Sequence, residues 1–150
     1  MIMQREDKIY FAYFADFQNP TMLFFGHPKA FGLWKDFFEI PIESDRKNIN
    51  LGDEPSFARG NVGILLKIIP EATGMKKISE HSFEWGLSNK ECKIFADHFR
   101  GLAETPLDRG GGHYYLDCGT LDDVEVIASV GEYSVEFFQK RGADFWKNDQ

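Results

Sequence analysis

The chain has 150 residues, fifteen of them phenylalanine, and a formal net charge of −7. That length suits one ordinary domain burying about two thirds of its unfolded surface, and a phenylalanine-rich core has enough apolar area to do without crosslinks or a metal. The acidic balance repels phosphate backbones and argues against nucleic-acid binding, and no run of apolar residues is long enough to span a membrane.

Residues 9–15 (IYFAYFA) read as an aromatic strand ended by the turn-forming Asn19-Pro20. A second short strand follows at 21–25. Pro28, whose missing N–H costs nothing at a first helical position, then opens a helix. Ala30, Leu33, Trp34, Phe37 and Phe38 recur at helical spacing as its apolar face, and Pro41 is expected to stop it. Residues 48–51 and 62–69 read as strands joined by a polar loop at 52–60. The near-continuous apolar run of the second predicts a central place in a sheet. Pro70 ends that strand, 71–77 reads as the break between two halves, and 78–87 reads as one strand of imperfect alternation.

Ser88-Asn89-Lys90-Glu91 has the pattern of a capping box. The Ser88 hydroxyl would accept from the N–H three residues on, while the Glu91 side chain reaches back to the N–H of Ser88. The helix it opens turns Cys92, Phe95, Phe99 and Leu102 inward and ends near 103–105, ahead of Pro106. A glycine-rich loop at 108–112 leads to strands at 113–116 and 124–130, joined by a turn containing Gly119. A last helix from Ser134 would carry Val135, Phe138, Phe145 and Trp146 on one face, with Gly142 as its weak point.

The chain also resembles itself. TMLFFGHPKAFGLWKDFFEI, KNINLGD and GNVGILLKII find their counterparts in SFEWGLSNKECKIFADHFRGLA, HYYLDC and DDVEVIASV. Gly26 matches Gly86, Trp34 matches Phe95, Phe38 matches Phe99, Leu51 matches Leu116, and Val62-Gly63-Ile64-Leu65 matches Val124-Glu125-Val126-Ile127. The expectation is a duplicated β-α-β-β unit, at approximately 21–69 and 79–130, within a single α+β domain over 1–150. It would form one mostly antiparallel sheet of six or seven strands, with helices packed on one face and a C-terminal helix added.

Little in the chain carries chemistry. The four histidines (His27, His81, His98, His113) include no i, i+4 pair, and there is no HExxH or CxxC, so neither a metal nor another cofactor is implied. His98, between Phe95 and Leu102, reads as packing. Gly110-Gly111-Gly112 lacks the Lys-Ser/Thr that follows in a phosphate cradle, and no Gly-x-Ser-x-Gly elbow occurs. His113, Tyr115 and Asp117 share one face of a strand, but His113 and Asp117 are roughly 13 Å apart along it. A hydrolase-like site would therefore need Glu132 or Asp123 to join His113, and a Cys118 nucleophile would need His113 as its base. Trp34, Trp85 and Trp146 read most simply as core residues, with anchoring of a partner as the alternative. Cys92 and Cys118 fit a reduced interior, and the charged start MIMQREDK does not follow a signal-peptide pattern, so a cytoplasmic location is expected.

Charge is unevenly placed. Between residues 104 and 136 eight acids (Glu104, Asp108, Asp117, Asp122, Asp123, Glu125, Glu132, Glu136) face only Arg109, a field that would steer a basic protein. The segment 82–118, with its strand, helix ending in GLAET, glycine-rich loop and HYYLD, resembles a family of bacterial polymorphic-toxin immunity proteins. That resemblance implies a cytoplasmic, non-catalytic protein that neutralises a cognate toxin domain, which agrees with an acidic contact surface set against basic toxins. Asp108, Asp117, Asp122, Asp123, Glu125 and Glu132 are the expected partner-binding residues. Two other readings stay open: the hydrolase-like enzyme around His113, and a regulatory domain binding a small molecule at the junction of the repeats. A homodimer also stays open, since the apolar strand 64–69 could lie inside a sheet or be shared between two copies.

Overall fold

Alternating and continuous apolar runs become strands here, and the two stretches with helical periodicity become helices. The computed structural model describes residues 6–15, 17, 19–43, 48–53, 58–118, 122–133 and 137. In chain order the elements are β1 (Ile9–Phe14), β2 (Thr21–Gly26), α1 (Pro28–Glu43), β3 (Asn48–Leu51), β4 (Ala58–Gly60), β5 (Gly63–Ile68), β6 (Gly74–Ser79), β7 (Ser82–Leu87), α2 (Asn89–Ala103), a 3₁₀ turn (Leu107–Arg109), β8 (Gly112–Tyr115) and β9 (Glu125–Val130). The architecture is α+β.

The strands form two mixed sheets, where one mostly antiparallel sheet was expected. The first has the order β4-β1-β2-β9-β8 and the second β3-β5-β7-β6. The reason lies in two long-range parallel pairings. β9 keeps its sequence neighbour β8 as an antiparallel partner and lies parallel to the distant β2 on its other side, and β5 lies parallel to β7. Across β1-β2-β9-β8 the pairing senses run antiparallel, parallel, antiparallel. Across β6-β7-β5-β3 they run antiparallel, parallel, antiparallel again.

Several elements differ from the sequence reading. The stretch 78–87 is a hairpin, β6 turning into β7 at Glu80-His81 with Ser79 opposite Ser82. Its imperfect alternation arises because the chain reverses in the middle. The same strand, β6, fills the stretch read as a break between halves. The loop at 52–60 contributes β4, three residues parallel to β1. Helix α1 continues past Pro41 to Glu43, since a proline in the last turn forfeits only one helical hydrogen bond. Ser88 caps α2 in extended conformation and forms the capping box with Glu91: its N–H donates to Glu91 Oε1 at 3.1 Å, and its hydroxyl also lies against that carboxylate. The expected C-terminal helix with Ser134, Val135, Phe138, Phe145 and Trp146, and the turn at Gly119, lie outside the described residues.

One aromatic cluster joins both sheets and both helices. Phe24 of β2 stacks on Trp85 of β7 with ring centroids 5.5 Å apart, and Phe38 of α1 meets Phe99 of α2 at 4.9 Å. Trp34 and Trp85 are wholly buried, so they belong to the core and do not serve as surface anchors. Among the described residues their indole N–H groups have no hydrogen-bond partner and lie among rings, a cost of about 1–3 kcal/mol each that aromatic contacts offset in part. Leu33 departs from the expected apolar face of α1, being 37% exposed. A second cluster of Tyr10, Ala12, Phe14, Leu23 and Phe25 covers the opposite face of the first sheet, packed with Phe17, Ile127, Tyr133 and Phe137. Among the described residues no helix is long and apolar enough to cross a membrane.

Candidate functional site

The acids singled out in the sequence fall in two places, the β8–β9 connection and the surroundings of β8. Asp122 ties the connection to the edge strand β6. Its carboxylate accepts from the N–H of Met75 at 2.7 Å and from the N–H of Cys118 at 2.6 Å, while the Asp123 N–H donates to Met75 O at 2.9 Å. Burial pushes the Asp122 carboxyl above its ordinary value, and the two backbone donors pull the other way. Lys76 Nζ approaches Asp123 Oδ1 at 3.4 Å on the exposed surface. Glu125 accepts from Asn19 Nδ2 at 3.2 Å, and its N–H donates to Pro20 O at 2.8 Å. Asp117, Asp122, Asp123 and Glu125 line one open depression of about 400 Å³ together with Asn19 and Pro20.

Asp108 and Glu132 stand apart from that depression. Asp108 is exposed on the 3₁₀ turn before β8. Glu132 lies against His113, whose Nδ1 is 3.0 and 3.1 Å from its two carboxylate oxygens, and the Ser129 hydroxyl donates to Glu132 Oε1 at 2.6 Å. Thus Glu132 reaches His113, while Asp123 lies against Lys76. Ser129 was not foreseen; its place opposite His113 in the β8–β9 register brings it there. The order is serine to carboxylate to histidine, so the hydroxyl engages the acid and not the imidazole, which is not the arrangement that activates a serine nucleophile.

The cysteines are poor nucleophiles where they stand. Burial, reinforced by the neighbouring carboxylates of Asp122, Glu91 and Asp117, pushes the Cys118 thiol up to about 12, and burial with Glu91 does the same to Cys92. Both therefore stay protonated at neutral pH. His98 is half-buried and stacks on Tyr114 at 4.6 Å, a packing role. Among the described residues no group of three or more His, Cys, Asp or Glu side chains could hold a metal ion.

A second depression, of about 660 Å³, is lined by Phe11, Asn50, Asp53, Arg59, Gly60 and Ile64 among others. There the Asn61 N–H donates to Phe11 O at 3.4 Å, as the Asp123 N–H does to Met75 O. Gly60 is required at its rim, because a Cβ there would lie 2.0 Å from the Phe11 ring. Comparison of the chain with protein-family models, with curated proteins and with solved structures finds no match in any of the three.

Proposed function

We propose that the protein is a non-catalytic binding protein, an immunity protein that neutralises a cognate toxin domain through an acidic surface. The observation that carries this reading is the convergence of Asp117, Asp122, Asp123 and Glu125 on one open depression in a chain of net charge −7. Within it the acids divide their work. Asp117, Asp123 and Glu125, with Asp108 beyond the rim, supply the field that attracts a cationic partner. Asp122 and Glu132 hold the loop and the strand end that present it. The action is in the cytoplasm, on a protein and not on nucleic acid or membrane.

The test is co-expression with the toxic C-terminal domain of a secreted protein encoded beside this chain. Protection of the host and a stable complex are expected. Asp117→Lys with Asp123→Lys should lower the association rate about tenfold and flatten its salt dependence. Neither protection nor complex with any such neighbour would overturn the reading. One observation, the His113–Glu132 hydrogen bond, favours the hydrolase-like alternative; there the chain turns over a substrate and His113→Ala abolishes the turnover, whereas under the immunity reading neither the chain nor the variant turns over any.

We propose further that the fold descends from a duplication, the β-α-β-β repeat lengthened by a leading strand in each copy, with β3 and β5 of the first copy and β8 and β9 of the second lying in the other copy's sheet, and β4 an addition beside β1. What supports this is the shared order of pairing senses, together with corresponding contacts. Phe24–Trp34 at 5.0 Å corresponds to Trp85–Phe95 at 5.8 Å, a register that sets Gly26 against Leu87 and not against Gly86 as in the sequence match, and the matched residues Phe38 and Phe99 meet each other.

A further inference from the structure

We infer that the outer edge of β8 is the docking strand for an extended cationic segment of the partner, which adds to the first sheet beyond β8. The inference rests on the binding-protein reading and names the contact by which it works. β8 is terminal in its sheet, and among the described residues no strand pairs with its outer edge. The phase of the ladder follows from one bond: the Leu116 N–H donates to Val126 O at 2.8 Å. Antiparallel hydrogen-bonded pairs alternate, so with Tyr115 opposite Ile127 the residues at 112, 114 and 116 bond to β9. The N–H and C=O of His113 and Tyr115 consequently point outward, two donors and two acceptors in line.

Two of the other three edges are guarded and β8 is not. β6 carries Lys76 and Lys77 and a register shift between Lys77 and Ser79, and β4 has three residues; β3, four residues long like β8, has Asn48 and Asn50 exposed and no acid among its residues. Lysines, irregularities and brevity are the usual defences of an edge against pairing. β8 is regular in its register, carries no lysine or proline, and shows Tyr114 at 38% and Tyr115 at 50% exposure. Its surroundings choose the sign of the partner. Exposed Asp108 precedes the strand, exposed Asp117 follows it, and Glu132 sits beside His113 on the Tyr115 face. A lysine or arginine of the added strand would lie against Glu132 and the Tyr115 ring. Its apolar neighbour in sequence would turn to the opposite face, beside Tyr114 stacked on His98.

The experiment is amide hydrogen exchange by NMR on the full chain, with and without a synthetic peptide of alternating lysine and threonine. The His113 and Tyr115 amides are expected to exchange freely alone and at least tenfold more slowly at peptide saturation, while Tyr114, already bonded to β9, changes little. A glutamate-threonine peptide should have no effect. Failure of the lysine peptide to bind, or protection confined to the depression around Asp117 and Asp123, would overturn the edge assignment. So would His113 and Tyr115 amides already protected in the free protein and released on dilution, since a second copy then holds the edge. In the co-expression assay, Tyr115→Pro removes one outward N–H and should reduce protection at unchanged melting temperature. Full protection by that variant sinks the edge alone, whereas no protection by the unaltered chain sinks the immunity reading.

Discussion

The central strands of the two sheets, β2 (TMLFFG) and β7 (SFEWGL), agree where they face the common core and part where they face away from it. Met22 and Phe24 in one, Phe83 and Trp85 in the other, are buried in the same aromatic cluster. On the outward positions Leu23 and Phe25 are buried in a second cluster, whereas Glu84 is half-exposed and accepts from Lys67 at 3.2 Å. The flanking strands follow suit: β9 puts Ile127 and Ser129 where β5 puts Leu65 and Lys67. Among the described residues one sheet is covered on both faces and the other on one, with the same pairing senses in each. Strand order is thus independent of how many faces are buried, and the outward residues record the difference.

The largest effect should come from the residue the two sheets share. Phe24→Ala is expected to lose about 4 kcal/mol in urea denaturation, because it empties space against Trp34, Phe11 and Trp85 at once. Leu23→Ala should cost about 3 kcal/mol. Its counterpart Glu84→Ala should cost under about 1 kcal/mol; equal losses would mean that the second sheet is also covered on its outer face. Asp122→Ala should cost about 2 kcal/mol, since it strands the N–H groups of Met75 and Cys118 and frees the loop from β6. Lys67→Ala on the solvated face should cost no more than about 0.5 kcal/mol, and less at high salt.

Asp122 also gives the acidic loop a pH signature. The folded chain holds its proton more tightly than the unfolded chain does. The stability this group contributes is therefore complete below the ordinary value of 3.8 and declines as pH rises through the folded value. Urea midpoints measured from acid to neutral pH should show that decline in the native chain and not in Asp122→Asn. A decline of the same size in both would assign it to other carboxylates.

Much of this was legible in the residues. The inward faces of both helices, with Trp34, Phe38, Phe95 and Phe99, follow from 3.6-residue spacing, and the central place of β5 follows from its continuous apolar run. Leu33, at the margin of the α1 stripe, shows how an apolar residue one step off the face meets solvent. The hairpin at 74–87 was hidden because two short strands of opposite direction look like one strand that alternates badly. The candidate site was legible as charge but not as geometry. The acids were countable, yet which of them carry internal work depended on Met75, Asn19, His113 and Ser129 arriving from distant parts of the chain.

By itself the sequence determined both helices, most of the strands and the apolar faces they bury, because periodicity is a local property written in side chains; it did not mark β4 or the reversal between β6 and β7. Only the tertiary structure decided that β9 lies beside β2 and β5 beside β7, giving two sheets in place of one. Strand partners are joined through backbone groups that every residue shares, so the choice among apolar strands is made by the fit of Phe24 on Trp85 and Phe38 on Phe99. That fit exists only once the whole chain is folded.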